Sequence, residues 1–286
     1  MTAYVHIGTV KTGTTSIQKF LHNNYDVLCK QGILYPKSFR KSFQHWDLVD
    51  LVLFCAENHC KNLNDIKDIY FSEQIEKIKE ELVNKNVKVL FSSEGITREL
   101  YDRKHIKILK MILRNLGFKQ IYILLYIRNC LEFIPSFSSQ NIKGGIIHQT
   151  DTICAKDHLL KFAFDYRWII RNYMYIFHKE NVIVKLFSKN EFYNRDLLKD
   201  FIHSIGHKWC NDFAIPKKEN ESLNLLGIEL QRRINKLYSN IYFNEISCKP
   251  KMYNIERALL TALIEILLLM ILILNFNPLK KLCNLI

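Results

Sequence analysis

The stretch HIGTVKTGTTSIQ, His6 to Gln18, decides how the rest of the chain is read. It overlaps the end of a short apolar run, AYVHIG (Ala3 to Gly8), which predicts a buried parallel strand closed by glycine. It leads into TTSIQKFLHNNYDVLCKQG, where Ile17, Phe20, Leu21 and Leu28 recur at helical spacing and Gly32 marks a stop. A strand, a glycine-bearing turn and a helix together aim the first amides of the helix at a common point, which favours an anion. Gly8 and Gly13 stand as far apart as the glycines of GxxxxGK[ST], but Thr14 and Thr15 follow where lysine and a hydroxyl residue belong. The lysine of the loop is Lys11, ahead of the second glycine. The stretch therefore predicts a cradle for a phosphate-like group: Gly13 lets the backbone approach, Thr14, Thr15 and Ser16 add hydroxyls, and Lys11 reaches over from the side. A plain turn with a Thr or Ser cap would explain the hydroxyls alone. It does not explain two glycines, a lysine and TTS together.

Working outward, VKVLFSSEG (Val87 to Gly95) and QIYILLYIRN (Gln120 to Asn129) predict two further strands, and NVIVKLF predicts another. QIYILLYIRN is apolar on both faces, as a central parallel strand must be. ILYP is a short extended piece. Helical patterns occur at Asp47–Ala56 and Glu73–Asn84, in IKILKMILRNLG, and from Glu132 to Ile142. They recur in HLLKFAFDYRWIIRNYMYIFHKE, RDLLKDFIHSIG and LGIELQRRINKLY. This alternation predicts an α/β fold, three layers αβα around a central parallel sheet. Residues 1–250 are expected to form that domain and residues 251–286 an apolar tail. Within the tail, ALLTALIEILLLMILIL (Ala258 to Leu274) stands at the lower edge of a membrane span and carries Glu265 at its centre. It reads as a buried terminal helix, a membrane-associating helix or a non-native end.

The chain has 286 residues and a formal charge of +13, which favours anionic partners without choosing among nucleotides, acidic glycans, nucleic acid and lipid surfaces. No recognition motif or aromatic platform for nucleic acid is visible, and nucleic acid is not an expected partner. MTAYVHIG has neither a basic nor a long apolar leader region, so a cytoplasmic protein is expected, with peripheral membrane contact through the tail as an option. The eight cysteines contain no CxxC pair and read as reduced thiols. CAENHC, Cys55 to Cys60 with His59, lacks a second ligand pair, and no metal site is expected.

HIGTVKTGTTSIQKFL followed by GILYP resembles the opening of bacterial members of the sulfotransferase family. Those enzymes hold the donor 3′-phosphoadenosine 5′-phosphosulfate (PAPS) on a P-loop-like turn of the form PKTGTT, where this chain has Val10 for the proline. The resemblance implies that Lys11, Thr12, Gly13, Thr14 and Thr15 contact the 5′-phosphosulfate. It also gives the displaced lysine a task, since Lys11 can stabilise charge on the oxygen bridging phosphorus and sulfur. LLYIRNCLEFIPSFSSQNIKGG supplies Arg128 and Ser136 at the family's spacing for the 3′-phosphate, with Glu132 and Gln140 also fitting. NESLN (Asn220 to Asn224), with Lys217 and Lys218 nearby, resembles a late family segment. The similarity runs from Tyr4 to Leu237 and stops before the tail.

Sulfuryl transfer to a hydroxyl or amine needs a base beside the acceptor. Glu94, just past a predicted strand end in LFSSEG, is the first choice, and His45 in FQHWDL the second. The expected activity is PAPS-dependent transfer to a glycan or small molecule. One alternative is a phosphotransferase or NTPase with a degenerate P-loop; the absence of lysine at position 14 and the strand ending in Arg128 rather than aspartate speak against it. Another is a non-enzymatic basic protein binding membranes or nucleic acid.

Overall fold

The computed structural model describes residues 1–83, 87–129, 132–133, 136–137, 139, 142, 165–216 and 227–236. By its internal contacts the chain divides into two units: Met1–Ile134 with Ile153–Asn220, and Pro135–Thr152 with Glu221–Ile286. In the second, residues 227–236 are helical, and Asn235 donates its side-chain amide to the Ile142 carbonyl at 2.6 Å.

The first unit is built from β1 (Thr2–His6), α1 (Thr14–Asn23), α2 (Tyr25–Lys30), β2 (Ile33–Leu34), α3 (Trp46–Glu57) and α4 (Ile69–Leu82). There follow β3 (Lys88–Ser92), α5 (Gly95–Glu99), α6 (Arg103–Asn115), β4 (Gln120–Ile127), α7 (Tyr166–Phe177), β5 (Val182–Leu186) and α8 (Leu197–Ser204). The five strands form one sheet in the order β2-β3-β1-β4-β5, with every pairing parallel. This is the expected α/β arrangement, and the side chains show why it has three layers. Ala3, Val5, Val89, Phe91, Ile121, Ile123 and Leu125 pack on one face, under α3, α4, α6 and α7. Leu90, Leu124 and Tyr126, the intervening positions, pack on the other face under α1, α2 and α8. Alternate residues of a strand point to opposite faces, so a strand buried on both sides must be apolar throughout. β4, with both faces in the core, obeys that rule.

Local differences from the sequence reading have local causes. The segment read as one helix after the loop is two, α1 and α2, parted at Asn24. The Asn24 side chain donates to Phe20 O and to Ala214 O, both at 2.8 Å, and accepts from Ala214 N at 2.7 Å. It thus ties a break in the helix to a distant loop, which competes with helix continuation. α4 starts at Ile69 rather than Glu73 because Asp68 caps it, accepting from Phe71 N at 3.0 Å. Among the described residues no helix is long and apolar enough to cross a membrane. The stretch Ala258 to Leu274, the NESLN segment, Lys217, Lys218 and Gln140 lie outside the described residues.

Candidate active site at the carboxyl edge of the sheet

β1 is the pivot of the sheet. His6 lies opposite Ser92 of β3 on one side and Leu124 of β4 on the other. The chain passes from β1 to the β2–β3 side and only later crosses to β4, so the loop after β1 sits at the topological switch point, where parallel sheets hold their ligands. Residues that follow β3, β1 and β4 therefore gather at one edge: Glu94, the loop Ile7–Gly13 and Arg128.

The loop is held rigidly from within. Thr12 and Thr14 donate their hydroxyls to the Thr9 carbonyl at 2.7 and 3.2 Å. Thr9 in turn donates to the Tyr126 carbonyl of β4, and Thr97 of α5 donates to the Gly8 carbonyl at 2.5 Å. Lys11 and Gly13 both adopt left-handed backbone, φ 64° and 72°. At Gly13 a Cβ would also lie 2.4 Å from Leu197 Cδ2 and 3.1 Å from Phe187 Cε2. The second glycine is thus required by its conformation and by packing against α8, a different reason from the close approach to an anion that the sequence suggests.

α1 begins directly after Gly13 with no side-chain cap and no acidic residue in its first turn. Its opening amides have no acceptor within the helix, and the positive end of the dipole faces outward. Thr12 and Thr14 are buried, whereas Thr15 and Ser16 are exposed at that helix end. The three hydroxyls predicted as one set therefore split: Thr14 joins Thr12 in bracing the loop, and Thr15 and Ser16 lie exposed.

Arg128 follows β4. Its Nη1 donates to the Lys11 carbonyl at 3.2 Å, its Nε lies 3.4 Å from the Glu132 carboxylate, and its guanidinium stands 5.4 Å from the centre of the Phe187 ring. Its backbone N–H points to the Tyr166 hydroxyl at 3.4 Å. The arginine and the loop are thus brought together. Ser136 belongs to the second unit, where it is helical and half-buried.

Glu94 is half-buried at the start of α5. Burial raises its carboxyl above the usual range, and a hydrogen bond from Thr14 and the charges of Arg98 and Lys11 offset part of the rise. Gly95, the next residue, lets the Trp46 ring close in: a Cβ there would lie 2.6 Å from the indole. Arg98 covers the same ring at 4.8 Å. Glu94 thus lies against the loop, near Gly8 and Thr14, and its neighbour Gly95 packs on Trp46.

His45 is placed differently. It is fully buried; Ser92 N donates to its Nδ1 at 3.1 Å, and its Nε2 lies 3.1 Å from the Pro36 carbonyl. The carbonyl can only accept, so Nε2 carries the proton and neither ring nitrogen is left for an acceptor. The ring links the loop after β2 to β3 and packs edge-on against Tyr35 and Phe91. Thr9, Thr97 and Tyr166 were not legible as site residues. Thr9 lies within the motif, but its partner is 117 positions away. Thr97 and Tyr166 carry no local signal.

No family model matches the chain, and no curated protein matches it in sequence. In three dimensions it is similar to a solved sulfotransferase. That protein is from Alicyclobacillus acidocaldarius, and the match covers 82% of this chain and 89% of the other at 14% identity, with a TM-score of 0.45. A likeness of that degree carries no weight for the chemistry, which has to be argued from the residues at the sheet edge.

Proposed function

We propose that this protein is a sulfotransferase that uses PAPS and transfers its sulfuryl group to a hydroxyl or amine. The observation that carries this reading is the bond between the Arg128 guanidinium and the Lys11 carbonyl, beside a helix N-terminus free of acidic residues. It joins the two halves of the motif, 117 positions apart, into one cationic edge with a half-buried carboxylate next to it.

The residues fit the donor. PAPS supplies an activated sulfuryl group and a bisphosphate leaving group. The amides of Thr14 to Ser16 and the outward hydroxyls of Thr15 and Ser16 suit a 5′-phosphosulfate. The Lys11 ammonium stabilises negative charge as the sulfur–oxygen bond to the bisphosphate breaks. Arg128 holds the remote 3′-phosphate with the part of its fork not used on the loop. Glu94 takes the proton as the acceptor's oxygen or nitrogen bonds to sulfur. His45 has no part in this scheme because both its nitrogens are engaged in the core.

Two predictions test the assignment. Adenosine 3′,5′-bisphosphate is expected to bind much more tightly than ATP or ADP in titration calorimetry. ATP affinity equal to or above that of the bisphosphate, with or without magnesium, overturns the sulfotransferase reading in favour of a phosphotransferase or NTPase. Within the site, Lys11→Ala is expected to lower kcat more than donor affinity, because its partner charge develops in the transition state. Arg128→Ala is expected chiefly to weaken bisphosphate binding, by about 1.5–3 kcal/mol. Loss of binding with Lys11→Ala and of turnover with Arg128→Ala would show the roles to be exchanged.

A further inference from the structure

An arginine-lined cavity lies on the same edge of the sheet. It has a volume of about 340 Å³ and is lined by Arg103, Asp165, Arg167, Trp168, Arg171 and Asn172. Arg103 opens α6, and Asp165 caps α7, accepting from Trp168 N at 2.9 Å. Both helices precede parallel strands and run back along the sheet, so their N-termini stand at its carboxyl edge. The contact between Arg128 N and the Tyr166 hydroxyl fixes the start of α7 beside the candidate active site.

The pocket is built rather than incidental. Arg103 is held from behind: its Nε donates to the Asn172 Oδ1 at 2.8 Å, and its guanidinium lies 4.3 Å from the centre of the Tyr175 ring. Both contacts leave the terminal nitrogens of the fork for a ligand. Asn172 is only 4% exposed, and its Nδ2 is buried with no hydrogen-bond partner among the described residues. Arg167 and Arg171 are exposed, and neither is ion-paired among the described residues. The larger cleft near Lys41 differs: there Lys41 is paired with Asp47 and Asp50 at 2.7 and 2.8 Å, and Lys77 with Glu73 at 3.5 Å.

We propose that this arginine pocket binds the carboxylate or sulfate of an acidic sugar chain, and hence that the acceptor is an anionic glycan. The proposal rests on the sulfotransferase reading for its second half only. Arginine forks match planar and tetrahedral oxyanions. Trp168, with the Tyr101 ring centre 6.4 Å away, offers aromatic surface beside the charges. Asp165, standing among the arginines, supplies an acceptor for sugar hydroxyls and disfavours an unbroken run of phosphates. That combination suits a ligand carrying hydroxyl donors and an oxyanion together.

The test uses the full chain and the doubly substituted Arg167→Gln/Arg171→Gln, in which two exposed side chains change and the fold is expected to persist. Titration calorimetry measures a polyuronate oligosaccharide, its carboxyl-reduced neutral counterpart, a single-stranded oligonucleotide and adenosine 3′,5′-bisphosphate. The polyuronate is expected to bind the unaltered protein, the neutral sugar to bind at least about tenfold more weakly, and the double variant to lose about tenfold or more for the polyuronate. Bisphosphate affinity is expected to be the same in both proteins, which also shows the variant to be folded. Equal polyuronate affinity in the two proteins, or equal binding of the neutral sugar, overturns the pocket. An oligonucleotide bound more tightly than the polyuronate overturns it in favour of nucleic acid. Arginine-dependent polyuronate binding by a protein that ignores the bisphosphate leaves the sugar site standing and removes the transfer reading. Bisphosphate binding without polyuronate binding does the reverse.

Discussion

Replacing Glu94 with glutamine is expected to lower turnover by about 10² or more while bisphosphate affinity stays close to that of the unaltered protein. The amide keeps the size and polarity of the carboxylate but cannot take the acceptor's proton. Burial raises the Glu94 carboxyl above the usual range, which brings a general base nearer to working pH. The acid limb of the kcat/KM profile should accordingly lie above an ordinary carboxylate's range and vanish in the variant. Stability should move the opposite way. A carboxyl whose folded pKa is raised favours folding while protonated, and that contribution is lost as pH rises through the folded pKa. At neutral pH the buried charge is therefore a burden. Glu94→Gln should melt at a higher temperature than the unaltered protein, by a margin that shrinks on acidification. A residue with a purely structural role would lose stability when changed. Near-normal turnover would move the base to another group.

Steep loss of stability below pH 6.5 is the second large effect expected. His6 and His45 are buried, 2% and 0% exposed, and burial lowers both from 6.5 to about 3. His45 has both nitrogens bonded, and His6 bonds Ser92 through Nδ1 at 2.9 Å while its Nε2 is buried without a partner among the described residues. Neither can accept a proton without disrupting the core. As pH falls below 6.5 the unfolded chain takes up both protons and the folded chain takes up neither. Folding then loses roughly 1.4 kcal/mol per pH unit for each ring, and about 4 kcal/mol for the pair by pH 5. His22 and His207, lowered chiefly by burial, add to the same slope. Urea unfolding at a series of pH values should show two or more protons linked to unfolding in this window. A flat profile between pH 7 and 5 would mean that the folded core admits the protons.

The strands were legible because their patterns are local. QIYILLYI has no polar interruption that would fit an exposed face, and Gly8, Gly95 and Gly117 punctuate their elements. β2 could be read only as an extended piece, since two residues cannot display a period. The strand–turn–helix around Gly13 was legible for a similar reason: its residues are consecutive. The roles within it were not. Whether a threonine braces the loop or faces outward depends on whether a carbonyl such as Thr9's lies within reach. His45 shows the limit more sharply. A histidine beside a tryptophan in a polar loop looks available for proton transfer, and only the placement of Pro36 and Ser92 around it makes it a core residue. Arg128 was legible from its position at a strand end, but its bond to the Lys11 carbonyl depends on β1 and β4 being neighbours.

Thr14 has one hydroxyl hydrogen and two claimants for it, the Thr9 carbonyl at 3.2 Å and the Glu94 carboxylate. When Glu94 is protonated it can supply the hydrogen between them, and Thr14 is free to bond the loop carbonyl. When Glu94 is ionised its negative charge is the stronger acceptor, and the hydroxyl swings to it. The loop carbonyl is not stranded by this exchange, because Thr12 still donates to it at 2.7 Å. One hydrogen on Thr14 thus links the charge of Glu94 to the bracing of the loop after β1: a proton on Glu94 leaves that hydrogen to the Thr9 carbonyl, and an ionised Glu94 competes for it.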